Sequence, residues 1–185
     1  FYRGFVAEKI ADYLAEAEVM DASGSRHKGV LTADDMAGYQ ATIDAPTTYD
    51  YHGWTVAKTG PWGQGPVLLQ SLALLKGLDI GKMDPAGPDF VHTVVEAMKL
   101  AYADREVYYG DPDFAQVPVQ TLLSDAYNDE RRKLISDQAS MDLRPGLVPG
   151  FENQRDLTLS MLNSMQGTGA VYEPTMSHLT EKRGD

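Results

Sequence analysis

The stretch from Glu96 to Phe114, EAMKLAYADREVYYGDPDF, constrains this chain more than any other segment. Strong helix formers fill it as far as Tyr108, and the Gly-Asp-Pro triplet at 110–112 is typical of a helix end followed by a turn. Hydrophobic side chains in and before this stretch recur at spacings of three and four residues, the period of one helix face. They are Val91, Val94, Val95, Met98, Ala101 and Tyr102. We therefore expect a long helix with this face packed, ended by an acidic, proline-containing turn.

The first part of the chain predicts two helices and one pair of strands. An amphipathic helix is expected from about Gly4 to Glu18, followed by a loop rich in Ser and Gly over 21–28. Thr32 and Asp35 form a T-x-x-D start, in which the hydroxyl and the carboxylate can bind early helical N–H groups. This second helix should end at residue 38 or 39. β-formers on both sides of His52-Gly53 predict a strand pair within 46–59.

The second part predicts a constrained turn, further helices and an irregular tail. Three glycines and two prolines in 60–66 should form a turn that leads into a buried helix over 67–75. Residues 117–119 suggest a strand-like or extended segment, and a capped helix is expected from Ser124 to Ile135. From residue 141 the periodicity fades. We therefore divide the chain into a helix-rich region, 1–140, with its strand pair near 46–59, and an irregular tail, 141–185.

Composition excludes several classes of function. The chain has 27 acidic and 16 basic residues, a net charge of −11, and no basic patch, so we expect neither nucleic acid nor anionic membrane as a partner. The absence of cysteine excludes disulfides and a cysteine nucleophile within these residues. No apolar run approaches the roughly 20 residues that a membrane span needs. Because the chain starts at Phe1 without a methionine, we expect residues upstream, and the compartment is undetermined.

Candidate metal sites are weakly supported by the sequence. Asp104, Asp111 and Asp113 are close in sequence, but they lack the alternating carboxylates and the closing Glu of a calcium loop. A helix stop with capping carboxylates is the favoured interpretation, and a metal-dependent hydrolase is kept as an alternative. The four histidines show no i, i+4 pair and no HExxH motif. We expect no metal and no cofactor.

The glycine-rich loop 60–65 does not bind phosphate as a P-loop does, because Pro66 and Val67 stand where Lys and Ser or Thr are needed. Two readings remain for it. It is either a tight turn that fixes the next helix, or a loop that lines a small-molecule pocket with Trp62 and Gln64. No serine stands in a G-x-S-x-G elbow. Taken alone, the residues describe an α/β or α-rich domain without a catalytic centre of its own.

Several motifs in order resemble the later part of the large subunit of gamma-glutamyltranspeptidases and their acylase relatives. They are FYRGFVAEKIA at 1–11, VLTADDMAGYQA at 30–41, YDYHGWTV at 49–56, GPWGQGPVLLQSLALLKG at 60–77, YADR at 102–105 and GDPDF at 110–114. The resemblance is strong from residue 1 to about 134 and weak from 141 to 180. It implies an α+β fold, part of an Ntn-hydrolase αββα sandwich, in which this chain is mostly helical with a few strands.

The resemblance also implies a precursor that cuts itself in two. The sequence at 182–185, KRGD, is similar to the stretch before the cut, which places the processing junction at Gly184 and Asp185. The partner would be a small subunit from the same precursor that starts with the catalytic threonine, so no catalytic residue is expected in this chain. Without that partner, the apolar helix faces within 67–75 and 91–102 would be partly uncovered.

The implied reaction is acyl transfer from a γ-glutamyl or related amide to that threonine, and then to water or an amine. Trp62 and Gln64 stand where typical transpeptidases carry a proline- and serine-rich turn, a departure similar to the acylase-like branch. We predict that both line the substrate pocket. A cephalosporin or glutaryl acylase-like amidohydrolase is one alternative, and a non-catalytic scaffold or binding module is another.

Overall fold

A computed structural model of the chain describes residues 1–21 and 24–166. Its helices are α1 (Phe5–Glu16), α2 (Ala33–Gly38), α3 (Gly65–Leu75), α4 (Pro88–Tyr108), α5 (Val119–Leu122), α6 (Asp125–Arg132) and α7 (Glu152–Gln166), with a short 3-10 helix at Ile80–Lys82. Its strands are β1 (Val19–Met20), β2 (Arg26–His27), β3 (Thr47–Tyr51) and β4 (Trp54–Lys58). In the described ranges, β1 pairs with β2 and β3 with β4, both antiparallel. The chain is therefore mostly helical with a few strands, as the sequence predicts.

Among the described residues the chain divides into two compact units: residues 1–21, 24–43 and 165–166 belong to the first, and Asp44–Ser164 form the second. This division differs from the boundary at residue 140 that the sequence suggests. The expectation of an irregular tail is also wrong over 152–166, where α7 forms. That segment contains neither glycine nor proline, and the breakers on either side of it obscured its helical character.

In the first unit, α2 begins with a capping box. The Thr32 hydroxyl accepts a hydrogen bond from the Asp35 N–H at 3.2 Å, and the Asp35 carboxylate accepts one from the Thr32 N–H at 2.9 Å. The bonds from Thr32 lower the pKa of Asp35. The predicted T-x-x-D start is confirmed. The sequence missed the small β1–β2 hairpin, which occupies part of the predicted 21–28 loop.

In the second unit, β3 and β4 form the hairpin that the sequence predicts. The register pairs Tyr51 with Trp54, so His52 and Gly53 alone form the turn. Their φ angles are 46° and 86°. Positive φ at both central residues is the requirement of a type I′ turn, whose twist matches that of the strands. Glycine meets this requirement without a steric cost, whereas His52 adopts a conformation that few residues other than glycine use.

The hairpin is tied to the helices by a polar cluster around Asp125. The Tyr49 hydroxyl donates to the Asp125 carboxylate at 2.8 Å, and the Lys76 ammonium donates to the same carboxylate at 3.0 Å. Both hydrogen bonds lower the pKa of Asp125, and the bond from Lys76 has the larger effect. Lys76 also lies 5.2 Å from the centre of the Tyr49 ring. The cluster joins β3, the end of α3 and the start of α6.

The core of the second unit lies where α3 packs against α4. The first apolar cluster consists of Val67, Leu74, Leu75, Ala97, Leu100 and Ala101. A second cluster, nearer the end of α4, consists of Val107, Tyr108, Leu122 and Val148. The predicted buried helix over 67–75 is therefore confirmed, and it starts two residues earlier, at Gly65.

The long helix predicted from the sequence is present as α4, but its predicted packed face is mostly wrong. Val91, Val95, Met98 and Tyr102 are exposed, and Ala101 alone of the predicted set is fully buried. The buried face instead carries Thr93, Glu96, Ala97, Leu100, Ala101, Ala103, Asp104, Val107 and Tyr108. Its two acidic side chains can be buried because basic groups from later in the chain pair with them.

Two smaller expectations differ in detail. Residues 117–119 are not a strand, since α5 starts at Val119. The capped helix exists as α6, with the Ser124 hydroxyl accepting from the Tyr127 N–H, but it ends at Arg132, before Ile135.

Within the part of the chain that the structure describes, no helix is both long enough and apolar enough to span a membrane.

Candidate active site

Trp62 and Gln64 lie together at a hollow of about 330 Å³ in the second unit. The loop before α3 forms one side, and the end of α4 with the turn after it forms the other. The lining residues are Pro61, Trp62, Gly63, Gln64, Arg105, Glu106, Tyr109, Gly110 and Asp111. The structure thus brings the loop and the GDPDF turn to one place, a proximity that sequence reasoning did not anticipate.

Arg105 connects the two sides of the hollow. Its guanidinium donates to the Gln64 side-chain oxygen at 3.0 Å and forms an ion pair with Glu106. It also lies 5.0 Å from the centre of the Tyr102 ring, within the range of a cation–π contact. Arg105 was not among the residues singled out from the sequence. The feature of the sequence that could have drawn attention to Arg105 is its position in the YADR motif, directly after Asp104.

The loop reaches this position because Gly65 packs directly on the backbone of Thr59. A Cβ at Gly65 would overlap the Thr59 carbonyl oxygen and come within 2.7 Å of its hydroxyl. The Gly63 N–H donates to the Gly60 carbonyl at 3.1 Å and closes the turn. Pro66 then occupies the first turn of α3, where a missing N–H costs no hydrogen bond. The geometry supports the tight-turn reading of the loop and also leaves Trp62 more than half exposed beside the hollow.

Tyr109 contributes a buried polar group to the lining. Its hydroxyl is shielded from solvent and has no hydrogen-bond partner among the residues that the structure describes. Burial, and then the nearby charge of Asp104, raises the pKa of Tyr109 well above its ordinary value. The hydroxyl is therefore protonated across the physiological range and can act as a hydrogen-bond donor.

Asp104, next to Arg105 in the sequence, is fully buried and is the centre of a polar network. One carboxylate oxygen accepts from the Gln70 amide at 2.6 Å and the Tyr127 hydroxyl at 3.0 Å. The other accepts from the Arg131 guanidinium at 3.1 Å and from the Gly146 N–H at 2.6 Å. Burial raises the pKa of Asp104, and the Arg131 charge and the hydrogen bonds oppose that change. With donors on both oxygens, Asp104 holds α3, α6 and the segment around residue 146 against α4.

Glu96, two turns earlier, fixes the same segment at another point. Its carboxylate accepts from the Lys99 ammonium at 2.7 Å, the Ser140 N–H at 3.2 Å and the Arg144 guanidinium at 2.8 Å. Together with the bond from the Tyr108 hydroxyl to the Gly146 carbonyl, at 2.6 Å, these contacts bind residues 140–146 along α4. The segment is irregular in secondary structure but is held by buried groups.

The three aspartates considered as metal ligands do not act together in the described ranges. Asp104 is buried and bound as above, whereas Asp111 and Asp113 are exposed in the turn. There, the Asp113 N–H donates to the Asp111 side chain at 3.0 Å, the pattern of an Asx-turn. No group of three or more His, Cys, Asp or Glu suited to a metal ion occurs within residues 1–21 and 24–166. His92 is half-buried, and its Nε2 lies 2.6 Å from the Ser136 carbonyl oxygen.

The predicted processing junction, Gly184 and Asp185, lies outside the described residues.

Similarity to known protein families shows which family this chain belongs to. The model of the gamma-glutamyltranspeptidase family matches residues 1–171. The chain belongs to the gamma-glutamyltranspeptidase family.

Individual relatives support this membership. The glutathione hydrolase proenzyme of Escherichia coli (strain K12) is 32% identical over 192 residues, which cover 92% of this chain and 31% of that protein. The crystal structure of Helicobacter pylori gamma-glutamyltranspeptidase has a TM-score of 0.69 at 30% identity, covering 82% of this chain and 42% of that one. The cephalosporin acylase from Bacillus halodurans has a TM-score of 0.66 at 37% identity, with coverages of 80% and 25%. The chain thus spans about a third of its E. coli relative.

The family places the fold among the Ntn hydrolases, as the resemblance implied. Two of the motifs that carried the resemblance, YADR and GDPDF, now have physical roles in this member of the family. Asp104 of YADR organises the buried network, and Arg105 reaches the Trp62 loop. Asp111 of GDPDF accepts from the Asp113 N–H and fixes the turn that borders the hollow. The described residues of both motifs therefore maintain structure around the hollow.

Proposed function

We propose that these residues form the later part of the large subunit of a self-processing, N-terminal-threonine enzyme that cleaves γ-glutamyl or related acyl amides. The observation that carries the proposal is the continuous match of residues 1–171 to the gamma-glutamyltranspeptidase family. The word proenzyme in the name of the E. coli relative supports a precursor that is cut. In this proposal the nucleophile lies on the small subunit, and the present chain supplies packing and part of the pocket wall.

The proposed reaction is acyl transfer in two steps. The threonine hydroxyl attacks the amide carbonyl of the donor, and its own free α-amine, with a pKa near 8, takes the hydroxyl proton. Backbone N–H groups stabilise the resulting oxyanion. The amine product leaves with a proton, and water or an amine acceptor then attacks the acyl-enzyme ester. The oxyanion donors and the arginine that binds the donor's α-carboxylate are proposed to lie outside these 185 residues.

Maturation is proposed to follow the same chemistry at Gly184 and Asp185. The hydroxyl of the next residue, a threonine, attacks the Asp185 carbonyl, and the acyl group moves from nitrogen to oxygen. Water then hydrolyses the ester and leaves the new amino terminus. Glycine at 184 allows backbone conformations that expose the carbonyl to attack.

The hollow at Trp62 and Gln64 is proposed as part of the substrate pocket. An exposed indole and a glutamine held by Arg105 suit an acyl group with an apolar body and a polar end. The likeness to a cephalosporin acylase at 37% identity supports an acyl group other than γ-glutamyl. We therefore propose a glutaryl or similar acyl amide as a donor alongside γ-glutamyl amides.

The test is an assay of the full-length protein with the p-nitroanilides of γ-glutamate and of glutarate. We expect release of p-nitroaniline from at least one of them, with a burst equal to the enzyme concentration if deacylation is slow. A purified, folded full-length protein that releases nitroaniline from neither substrate would contradict the proposed activity.

Within the same assay, Trp62→Ala tests the pocket assignment. Loss of one aromatic contact with the donor is worth about 1 kcal/mol, so KM should rise roughly fivefold while kcat changes little. Trp54→Ala is the matched control, because Trp54 is also exposed but lies on β4, away from the hollow. Equal effects of the two substitutions, or none for Trp62→Ala, would remove Trp62 from the pocket.

A further inference from the structure

Gln64 is the residue of the Trp62 hollow whose hydrogen-bonding direction the structure fixes. Its side-chain oxygen accepts from the Arg105 guanidinium at 3.0 Å. A guanidinium carries only N–H donors, so the atom of the Gln64 amide that meets it must be the oxygen. The amide NH2 is the other end of the same planar group, and within residues 1–21 and 24–166 it has no acceptor. Gln64 therefore offers the hollow a hydrogen-bond donor.

Arg105 can hold the Gln64 amide in this direction because Arg105 is itself restrained. Its guanidinium forms an ion pair with Glu106 and lies 5.0 Å from the centre of the Tyr102 ring. A half-turn of the Gln64 amide would bring its NH2 against the guanidinium, donor to donor, and is therefore disfavoured. Arg105 is thus a positioning residue, which acts on a ligand through Gln64.

Charge alone does not select a ligand for this hollow. The lining contains one cationic side chain, Arg105, and two carboxylates, Glu106 and Asp111. The Glu106 carboxylate is paired with Arg105, and the Asp111 carboxylate accepts the Asp113 N–H at 3.0 Å. Because no excess of positive charge draws in an anion, recognition depends on the hydrogen bond that Gln64 can donate.

We propose that Gln64, positioned by Arg105, determines specificity by selecting acyl groups that carry an oxygen acceptor at the end away from the scissile amide. The inference rests on the proposed function, in which the nucleophile lies on another chain and the hollow meets the far end of the donor. The chemical class is an acyl chain whose apolar middle contacts the exposed Trp62 indole and whose end carries a carbonyl or carboxylate oxygen. An acyl group with a wholly apolar end fits less well, because it leaves the Gln64 NH2 without a partner.

The test compares two uncharged substrates of equal length with the full-length protein: the p-nitroanilides of monomethyl glutarate and of heptanoate. At the far end the first has an ester carbonyl, and the second has only hydrocarbon. In Gln64→Glu the carboxylate can still accept from Arg105 but has no N–H to donate. We expect the ratio of KM for the heptanoyl substrate to KM for the methyl glutaryl substrate to fall about fivefold from the wild type to Gln64→Glu, the effect of one hydrogen bond, with little change in kcat.

Gln120→Glu is the matched control, because Gln120 is an exposed glutamine on α5 that does not line the hollow. Its KM ratio should equal that of the wild type. Arg105→Met tests the positioning role and should also lower the ratio. Combined with Gln64→Glu, it should lower the ratio no further than Gln64→Glu alone, since both residues act through one amide. A merely structural role of Arg105 would change KM equally for the two substrates.

Three results would overturn the proposal: an unchanged KM ratio in Gln64→Glu, an equal change in Gln120→Glu, or equal changes in KM for both substrates in Arg105→Met. If neither anilide is cleaved, the proposed activity fails, and the Gln64 assignment is then decided by calorimetry. The dissociation constants of heptanoate and monomethyl glutarate give the corresponding ratio without catalysis. A fivefold fall of that ratio in Gln64→Glu would support the assignment, and an unchanged ratio would overturn it.

Discussion

Asp104→Ala is expected to destabilise the full-length protein by about 3–5 kcal/mol, the range for breaking one partner of a buried ion pair. The substitution leaves the Arg131 guanidinium buried without its carboxylate. It also removes the acceptor of the Gln70, Tyr127 and Gly146 hydrogen bonds. The measurement is the denaturant midpoint and slope of the full-length protein, together with hydrogen exchange at the Gly146 amide, which should lose its protection.

Asp129→Ala is the matched control. Asp129 pairs with Arg132 at 2.6 Å on the same helix as Arg131, but its side chain is 60% exposed. An exposed pair of this kind contributes at most about 1 kcal/mol. If Asp104→Ala costs no more than Asp129→Ala, or if the Gly146 amide stays protected, the buried network does not hold the 140–146 segment as described.

Gly65→Ala is expected to cost about 1–3 kcal/mol and to impair the hollow. A Cβ at this position would overlap the Thr59 carbonyl oxygen, and because the obstacle is backbone the loop itself must move. Movement of the loop would carry Trp62 and Gln64 away from Arg105. We therefore expect both a lower denaturant midpoint and a KM at least as high as that of Trp62→Ala in the anilide assay.

Gly38→Ala is the control for the general effect of adding a methyl group at a glycine. Nothing lies within 4 Å of a Cβ built there, and Gly38 has no positive φ. Alanine at such a position should be neutral or stabilise by up to about 1 kcal/mol. A Gly65→Ala protein as stable and active as Gly38→Ala would show that the close contact with Thr59 can relax without consequence.

The features that the sequence predicted correctly are those set by neighbouring residues. The capping box at Thr32 and Asp35 and the hairpin turn at His52-Gly53 depend on side chains and backbone preferences within four residues. The start of α6 at Ser124 is of the same kind. Local chemistry alone decides such elements, so one sequence was enough to place them.

The features that the sequence missed depend on distant partners. Periodicity showed a long helix at α4 but could not show which face is buried, since Arg131 and Arg144 lie 27 and 48 residues from their partners. An apolar stripe predicts a packed face and does not say whether the packing is within the chain or with another part of a larger protein. Hence the stripe was assigned to the core, and the acidic residues beside it were not.

The candidate site was predictable only in part. Trp62 and Gln64 were selected because they depart from the family's usual turn, and the structure places both at one hollow. Arg105 was not found, because its contact with Gln64 spans 41 residues, and its position in the YADR motif does not indicate that contact. Tyr109 was likewise hidden, since an unpaired buried hydroxyl is visible only after folding.

The central claim is that these residues belong to a proenzyme that cuts itself to expose a threonine. Its most direct test is intact-mass analysis of the purified full-length protein, with amino-terminal sequencing of each chain. The account predicts two copurifying chains, the second of which begins with threonine, and a single uncut chain when that threonine is replaced by alanine. A full-length protein that stays in one piece and is nevertheless active on the anilides, or a second chain that starts with a residue unable to act as a nucleophile, would contradict it.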